Sequence, residues 1–389
     1  MVAPWGTPDE IRPEGTARNP PLLHPPDHEG GLLRVVSAAA LVLLLPLAGA
    51  AAMGKPLAAY LQFPPGTPDV PPVPFSLPAF LGLTLLILAA TVPLLLRLIS
   101  FRRKDGPRKP VMPFPWWGWA GAGLGAASWI LAWSRIPWMG GFQAHTFTPL
   151  WIAFILLVNA FTVRRTGRCL ILSRTRPFLL LFPVSAGFWW SFEYLNRFVG
   201  NWRYVGGAEF GAVEYFLFAT LPFATVLPAV LSTRELLLSF PRLDGAFREW
   251  RPLSPPNPVA IACAGLLFSC AGLFAVGIVP DVVFPLVWFA PPTLLISLAA
   301  LRGEPHVLSG IAGGDWRAFV ASSLAALWCG FFWEMWNSGS LAKWVYTIPY
   351  VDAFHLFEMP LLGYAGYLPF GLTCAATGDL LLDDTGRGP

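Results

Sequence analysis

The sequence predicts an all-α, polytopic transmembrane bundle of roughly ten helices, built largely from two parallel four-helix repeats. Three observations carry this. Charged residues make up only 12% of the 389 residues and hydrophobic residues 55%. An ordinary soluble domain carries about a quarter charged residues, so this chain cannot clothe a water-facing globule. Apolar stretches of about bilayer length recur along it. Basic residues gather in every second loop between those stretches. The same composition excludes disorder, collagen and coiled coil as the overall architecture, and with them a soluble single-domain enzyme.

Residues 1–31 are polar and Pro-rich and read as a disordered tail. Spans follow at 32–53 and 77–99, separated by a Pro-rich loop with little helical potential. The first span ends in Ala-Gly-Ala-Ala-Ala, which resembles a signal-peptidase site. The long segment before it favours an uncleaved helix. Further spans are expected at 114–133, 147–163, 178–198, 212–232, 258–279, 281–300, 318–337 and 356–376. Only Pro280 and Asp281 separate the seventh from the eighth, which implies a tight hairpin.

Loop charge then sets orientation. Arg102, Arg103, Lys104, Arg108 and Lys109 follow the second span, and Arg164, Arg165, Arg168, Arg174 and Arg176 the fourth. Arg234, Arg242, Arg248 and Arg251 follow the sixth, and Arg302 and Arg317 flank the loop after the eighth. The intervening loops carry few positive charges. The positive-inside rule places both termini in the cytoplasm, as in a bacterial-type inner membrane protein. Membrane orientation therefore accounts for the net charge of +4. No Gly-rich phosphate loop, zinc-type cysteine pairing or basic recognition helix is present, so no nucleic-acid partner is expected. The expected partners are the lipid bilayer and a hydrophobic small molecule; no particular cofactor or oligomeric state follows. Cys169, Cys263, Cys270, Cys329 and Cys374 give no disulfide framework and read as small packing residues.

The most informative feature is an internal duplication. Late in the fifth span the chain reads Trp189-Trp190-Ser-Phe-Glu193-Tyr-Leu-Asn196, then Trp202-Arg-Tyr204, Glu214 and Leu221-Pro222-Phe223. Late in the ninth it reads Phe332-Trp333-Glu334-Met-Trp336-Asn337, then Trp344-Val-Tyr346, Glu358 and Leu368-Pro369-Phe370. Successive spacings differ by one to three residues. A weaker match, Pro149-Leu-Trp151 and Pro285-Leu-Val-Trp288, precedes each copy. Each unit holds an even number of spans, so the copies share one orientation and are related about an axis along the membrane normal. The implied organisation is a tail at 1–31, an N-terminal hairpin and basic loop at 32–112, repeats at 113–235 and 258–377, a cytoplasmic loop at 236–257 and a cytoplasmic tail at 378–389.

Ionisable groups inside apolar spans are expensive and usually face protein or water. Glu193, Glu214, Glu334 and Glu358 are expected on the non-cytoplasmic side, converging on one cavity as its catalytic carboxylates. Trp190, Asn196, Trp202, Tyr204, Trp333, Asn337, Trp344 and Tyr346 would line it. Each Asn lies three residues after a Glu, on the same helical face, where its amide can orient the carboxylate. Structural readings stand beside this one. The tryptophans suit an interfacial belt. Glu193 can pair with Arg197, and Glu334 or Glu358 with Lys343. His145 and His355 fall on the carboxylate side, but two histidines in reversed Glu-x-x-His order make a poor metal set, so no metal is expected. Prolines at 222, 228, 285, 291, 292, 360 and 369 interrupt spans as they do in transporters.

The order Trp-Glu, Trp-x-Tyr and Phe-Glu-Met-Pro-Leu-Leu-Gly-Tyr at 357–364 resembles the small membrane lycopene cyclases and related carotenoid-modifying membrane proteins. The resemblance covers 330–370 and, more loosely, 188–223. It implies a pocket for a long isoprenoid, with Glu334 and Glu358 as acids. The paired carboxylates that follow the proline in that family are missing; Glu358 precedes Pro360 and stands alone. The chemistry is coherent in outline. Protonating an alkene needs a carboxylic acid that keeps its proton in an apolar site, and the resulting carbocation is stabilised by aromatic faces. A transporter and a structural or assembly subunit without catalysis remain open beside it.

Overall fold

The computed structural model describes residues 28–65, 73–102, 111–206 and 211–382. Most of the tail expected at 1–31, the basic residues Arg103, Lys104, Arg108 and Lys109, and the end of the C-terminal tail lie outside the described residues. The helices of eight residues or more are α1 His28–Ala52, α2 Leu77–Ser100, α3 Trp116–Trp133, α4 Phe147–Thr166 and α5 Thr175–Val199. They continue with α6 Ala212–Phe223, α7 Val226–Leu238, α8 Pro241–Arg248, α9 Pro258–Ile278, α10 Leu286–Leu301, α11 Arg317–Gly339 and α12 Tyr367–Leu382. Among the described residues, seven helical stretches are long and apolar enough to cross a membrane, counting α6 and α7 as one of 27 residues. That fits an integral membrane protein.

The helices pack as their small residues allow. In α1 and α9 the backbones approach at Gly49 and Gly277, where a Cβ on Gly277 would lie 2.5 Å from the Ala50 nitrogen. Without a hydrophobic drive between helices in lipid, such close backbone contact supplies the attraction. Lys55 then caps the end of α9, its Nζ donating to the carbonyls of Gly277 at 2.9 Å and Ile278 at 3.0 Å. Helix α2 is different. None of its residues is buried, and Leu81, Leu85, Leu86, Leu95 and Leu96 all lie open. An apolar helix with no buried residue suits lipid, not water. Its C-terminal end is held by arginines: Arg97 Nε donates to Ala246 O at 2.8 Å, and Arg242 Nε to Leu98 O at 2.9 Å.

The sixth expected span is broken between α6 and α7. Proline at 222 and the turn at Ala224–Thr225 free backbone groups there, and Ser185 of α5 bridges them. Its hydroxyl donates to Phe223 O at 2.6 Å and accepts from the Leu227 amide at 3.0 Å. Helix α8, inside the loop expected at 236–257, packs Leu243, Ala246 and Phe247 against Val320 and Ala321 in a small separate core.

The described residues are overwhelmingly helical, with two short strand pairs beside the helices: Trp202–Val205 forms β1, Lys343–Tyr346 forms β2, and the two pair antiparallel. One sequence expectation needs correction. The tenth span does not begin at 356. His355–Leu356 (β3) and Met359–Pro360 (β4) make a two-residue hairpin, a 3-10 stretch covers Leu361–Gly366, and α12 starts only at Tyr367. The residues between β2 and α12 are apolar enough to pass for a span, but they form no α-helix. Tyr350, Phe354 and Phe357 adopt φ of 64°, 55° and 58°, a left-handed conformation that interrupts any helix. The amino end differs less: α1 begins at His28, inside the expected tail.

Candidate functional site

The site is assembled from two like pieces. Helix α5 ends at Gly200, whose φ of 60° turns the chain out of the helix and into β1. Asn196 fixes the strand to the helix. Its Nδ2 donates to Trp202 O at 2.7 Å and its Oδ1 accepts from Trp202 N at 3.3 Å. Asn337 does the same for β2, donating to Trp344 O at 2.7 Å and accepting from Trp344 N at 2.9 Å. Each asparagine therefore clamps backbone as a neighbouring strand would. Sequence reasoning gave these amides to the carboxylates, and the structure gives them to the strands.

The strands then pair with each other. Trp202 faces Tyr346 and Tyr204 faces Trp344, so the register is two-fold symmetric. In each strand the Trp and Tyr are two apart and share a face, and that face reaches the glutamate on the preceding helix. Glu193 is 4% exposed and Glu334 is fully buried. Onto Glu193 Oε1 converge Trp189 Nε1 at 2.9 Å, Trp202 Nε1 at 3.1 Å and Tyr204 Oη at 2.6 Å. Onto Glu334 Oε1 converge the hydroxyls of Tyr346 and Tyr367, each at 2.7 Å. Here Trp344 Nε1 donates to Tyr346 Oη at 2.9 Å. Glu334 Oε2 is buried and has no hydrogen-bond partner.

A shell of rings surrounds the two carboxylates and joins the pieces. Trp151 of α4 lies 4.9 Å from Trp333 of α11, and Trp288 of α10 lies 5.4 Å from Phe192 of α5. Trp189 and Trp333 approach to 6.4 Å, and Phe370 packs edge-on against both Trp189 and Phe192. Offset and edge-to-face contacts of this kind add stability beyond area burial.

The other expected members lie elsewhere. Glu214 is exposed at the first turn of α6, where Oε2 accepts from the Gly211 amide at 3.2 Å; it caps its own helix. Glu358 sits in the turn between β3 and β4 and pairs with Lys343 at 2.5 Å. That is the ion pair weighed from sequence. Arg197 does not pair with Glu193; its Nη1 donates to the carbonyls of Tyr60 at 2.9 Å and Gln62 at 2.8 Å. Trp190 turns away from Glu193, stacks on Phe216 at 5.6 Å and donates to Thr220 Oγ1 at 3.0 Å. His355 contacts Asp352, and His145 rests against Phe218. Among the described residues no three of His, Cys, Asp or Glu gather to hold a metal ion.

Sequence reasoning missed Trp189 and Tyr367. Trp189 lies four residues before Glu193, within i,i+4 reach. Tyr367 directly precedes the Leu-Pro-Phe element, but its counterpart Thr220 is not aromatic, so the duplication concealed it. Comparison of the chain with protein-family models, with curated proteins and with solved structures gave no match.

Proposed function

We propose that this is a ten-helix membrane protein with cytoplasmic termini whose central aromatic nest presents Glu334 as an acid to an apolar isoprenoid or lipid. The single observation that carries this reading is Glu334 Oε2, a fully buried carboxyl oxygen without a partner inside a shell of tryptophan, tyrosine and phenylalanine rings. Two donors already occupy Oε1, so a transferable proton belongs on Oε2. The ring faces around it suit a developing positive charge on carbon. Helices α3, α10 and α12, added to the seven long apolar stretches, make up the ten spans. The parallel repeats, 113–235 and 258–377, are supported by the two-fold register of β1 with β2 and by the crosswise contacts of Trp151 and Trp288.

One observation favours a second reading, a structural subunit in which the carboxylates only fasten strands to helices. Glu193 Oε1 accepts three donors, as a pure staple would. The two readings separate at Glu334→Gln, which keeps the acceptor at Oε1 and removes the acid. The test extracts the lipids that co-purify with each form and identifies them by mass spectrometry. The reading expects an isoprenoid-type lipid with the native protein and an altered or unconverted one with Glu334→Gln, at unchanged membrane insertion. Recovery of bulk phospholipid alone from both forms overturns it.

A further inference from the structure

We propose that a cleft at the arginine-rich end of α4 and α7 binds the headgroup of an anionic glycerophospholipid. The cleft has a volume of about 280 Å³ and is lined by Val111, Phe161, Arg164, Arg165, Leu236 and Phe240. Its walls are apolar and open: Val111, Phe161 and Phe240 are 67%, 44% and 40% exposed. Apolar side chains in that state suit acyl chains at the edge of a bilayer and do not suit water.

The two arginines are used differently. Arg165 is built into the wall. Its guanidinium lies 3.9 Å over the Phe240 ring, with Nε donating to Ser239 Oγ at 2.8 Å and Nη2 to Ser239 O at 3.2 Å. Arg164 is exposed, and its side chain makes no hydrogen bond or ion pair among the described residues. Its backbone is nevertheless fixed, because Arg164 O accepts from the Met112 amide at 2.9 Å. A free guanidinium therefore stands at a rigid apolar lip, and among the described residues no acidic side chain lines the cleft. Arginine forks match phosphate oxygens, and basic pockets between membrane helices take anionic headgroups. The cleft is small for a complete soluble ligand. It accommodates a phosphodiester whose chains run down the bilayer beside Phe161 and Phe240. Charge complementarity and the apolar walls together select a lipid phosphate over a free one.

The test uses the purified full chain with phosphatidylglycerol and phosphatidylcholine presented in equal amounts, and native mass spectrometry to count the lipids retained. Phosphatidylglycerol is expected to be retained in preference, and Arg164→Gln to lower that preference about fivefold, the worth of one basic residue beside an anionic headgroup. Arg164→Lys should keep most of it. Arg176→Gln, an exposed arginine outside the cleft, should leave it unchanged. Val111→Glu, which adds a negative charge to the lip, should abolish it. Equal losses at Arg164 and Arg176 overturn the proposal in favour of diffuse surface charge. Displacement of phosphatidylglycerol by millimolar inorganic phosphate overturns it in favour of a free-anion site.

Discussion

The nest around Glu193 and the nest around Glu334 share one frame and differ in how it is filled. Both have the asparagine clamp and a Trp-x-Tyr strand. Two of their differences offset each other. Four residues before the glutamate the first nest has Trp189 and the second Gly330. Three residues before the conserved-shape Phe of Leu-Pro-Phe the first has Thr220 and the second Tyr367. A Cβ on Gly330 would lie 2.7 Å from Tyr367 Cγ, so the ring of Tyr367 fills the room that Trp189 takes in the first nest. The large residue has moved from one helix to its neighbour while a donor still reaches the carboxylate. The exchange teaches that the frame dictates a donor at that point in space, not at that point in the chain. It also leaves the two carboxyls unequal, with three donors on Glu193 Oε1 and an orphaned oxygen on Glu334.

The comparison breaks most severely if the second nest is rebuilt as the first. Gly330→Trp drives an indole into the Tyr367 ring, and overpacking of this sort should cost about 3 kcal/mol or more. Folded yield by size exclusion and thermal midpoint should fall sharply. Adding Tyr367→Thr should restore much of the loss; no rescue in the double variant would sink the idea of an exchanged position. Next come the carboxylates themselves. Glu193→Leu strands two indole N–H groups and a hydroxyl, an expected loss of about 2–3 kcal/mol. Glu334→Leu strands two hydroxyls but also deletes an oxygen that had no partner, so its cost should be smaller by about 1 kcal/mol. Denaturation of the two variants in one detergent measures the difference, and equal or reversed losses would show that the inequality of the nests carries no energy.

The smallest effect lies outside both nests and calibrates acid titrations of them. Burial, and then the charge of Arg34, lowers the pKa of His306 in the loop after α10. The folded state thus resists protonating it. Its stability contribution is complete above the unfolded histidine value, near 6.5, and declines as pH falls through that value towards the lowered folded one. Thermal midpoints measured from pH 7.5 to 5 should drop less in His306→Gln than in the native chain.

Much of the bundle was legible in the sequence because lipid imposes one blunt rule, apolar length. It is visible span by span from Leu33 to Gly339. The stretch 356–366 was not, because hydropathy records whether a residue avoids water and says nothing of its φ. The apolar run through Phe357, Met359 and Leu361 looks like a helix until the left-handed residues are seen. The β1–β2 ladder was present as the alternation Trp-x-Tyr, but four residues are too few for a period to declare itself. For the carboxylates, sequence position distinguished acid from apolar surroundings but not buried from capping. Glu214 falls three residues after Gly211, where a carboxylate satisfies amides at its own helix end, and nothing in the composition separates that from Glu193.

The antiparallel ladder also acts as a rivet. Proteins that carry cargo by rocking one half against the other need a seam that slides. Here any such rocking would shear main-chain hydrogen bonds between Trp202–Val205 and Lys343–Tyr346, and the asparagine clamps would carry that strain straight into both glutamate-bearing helices. The two Trp-x-Tyr segments are locked at a common seam.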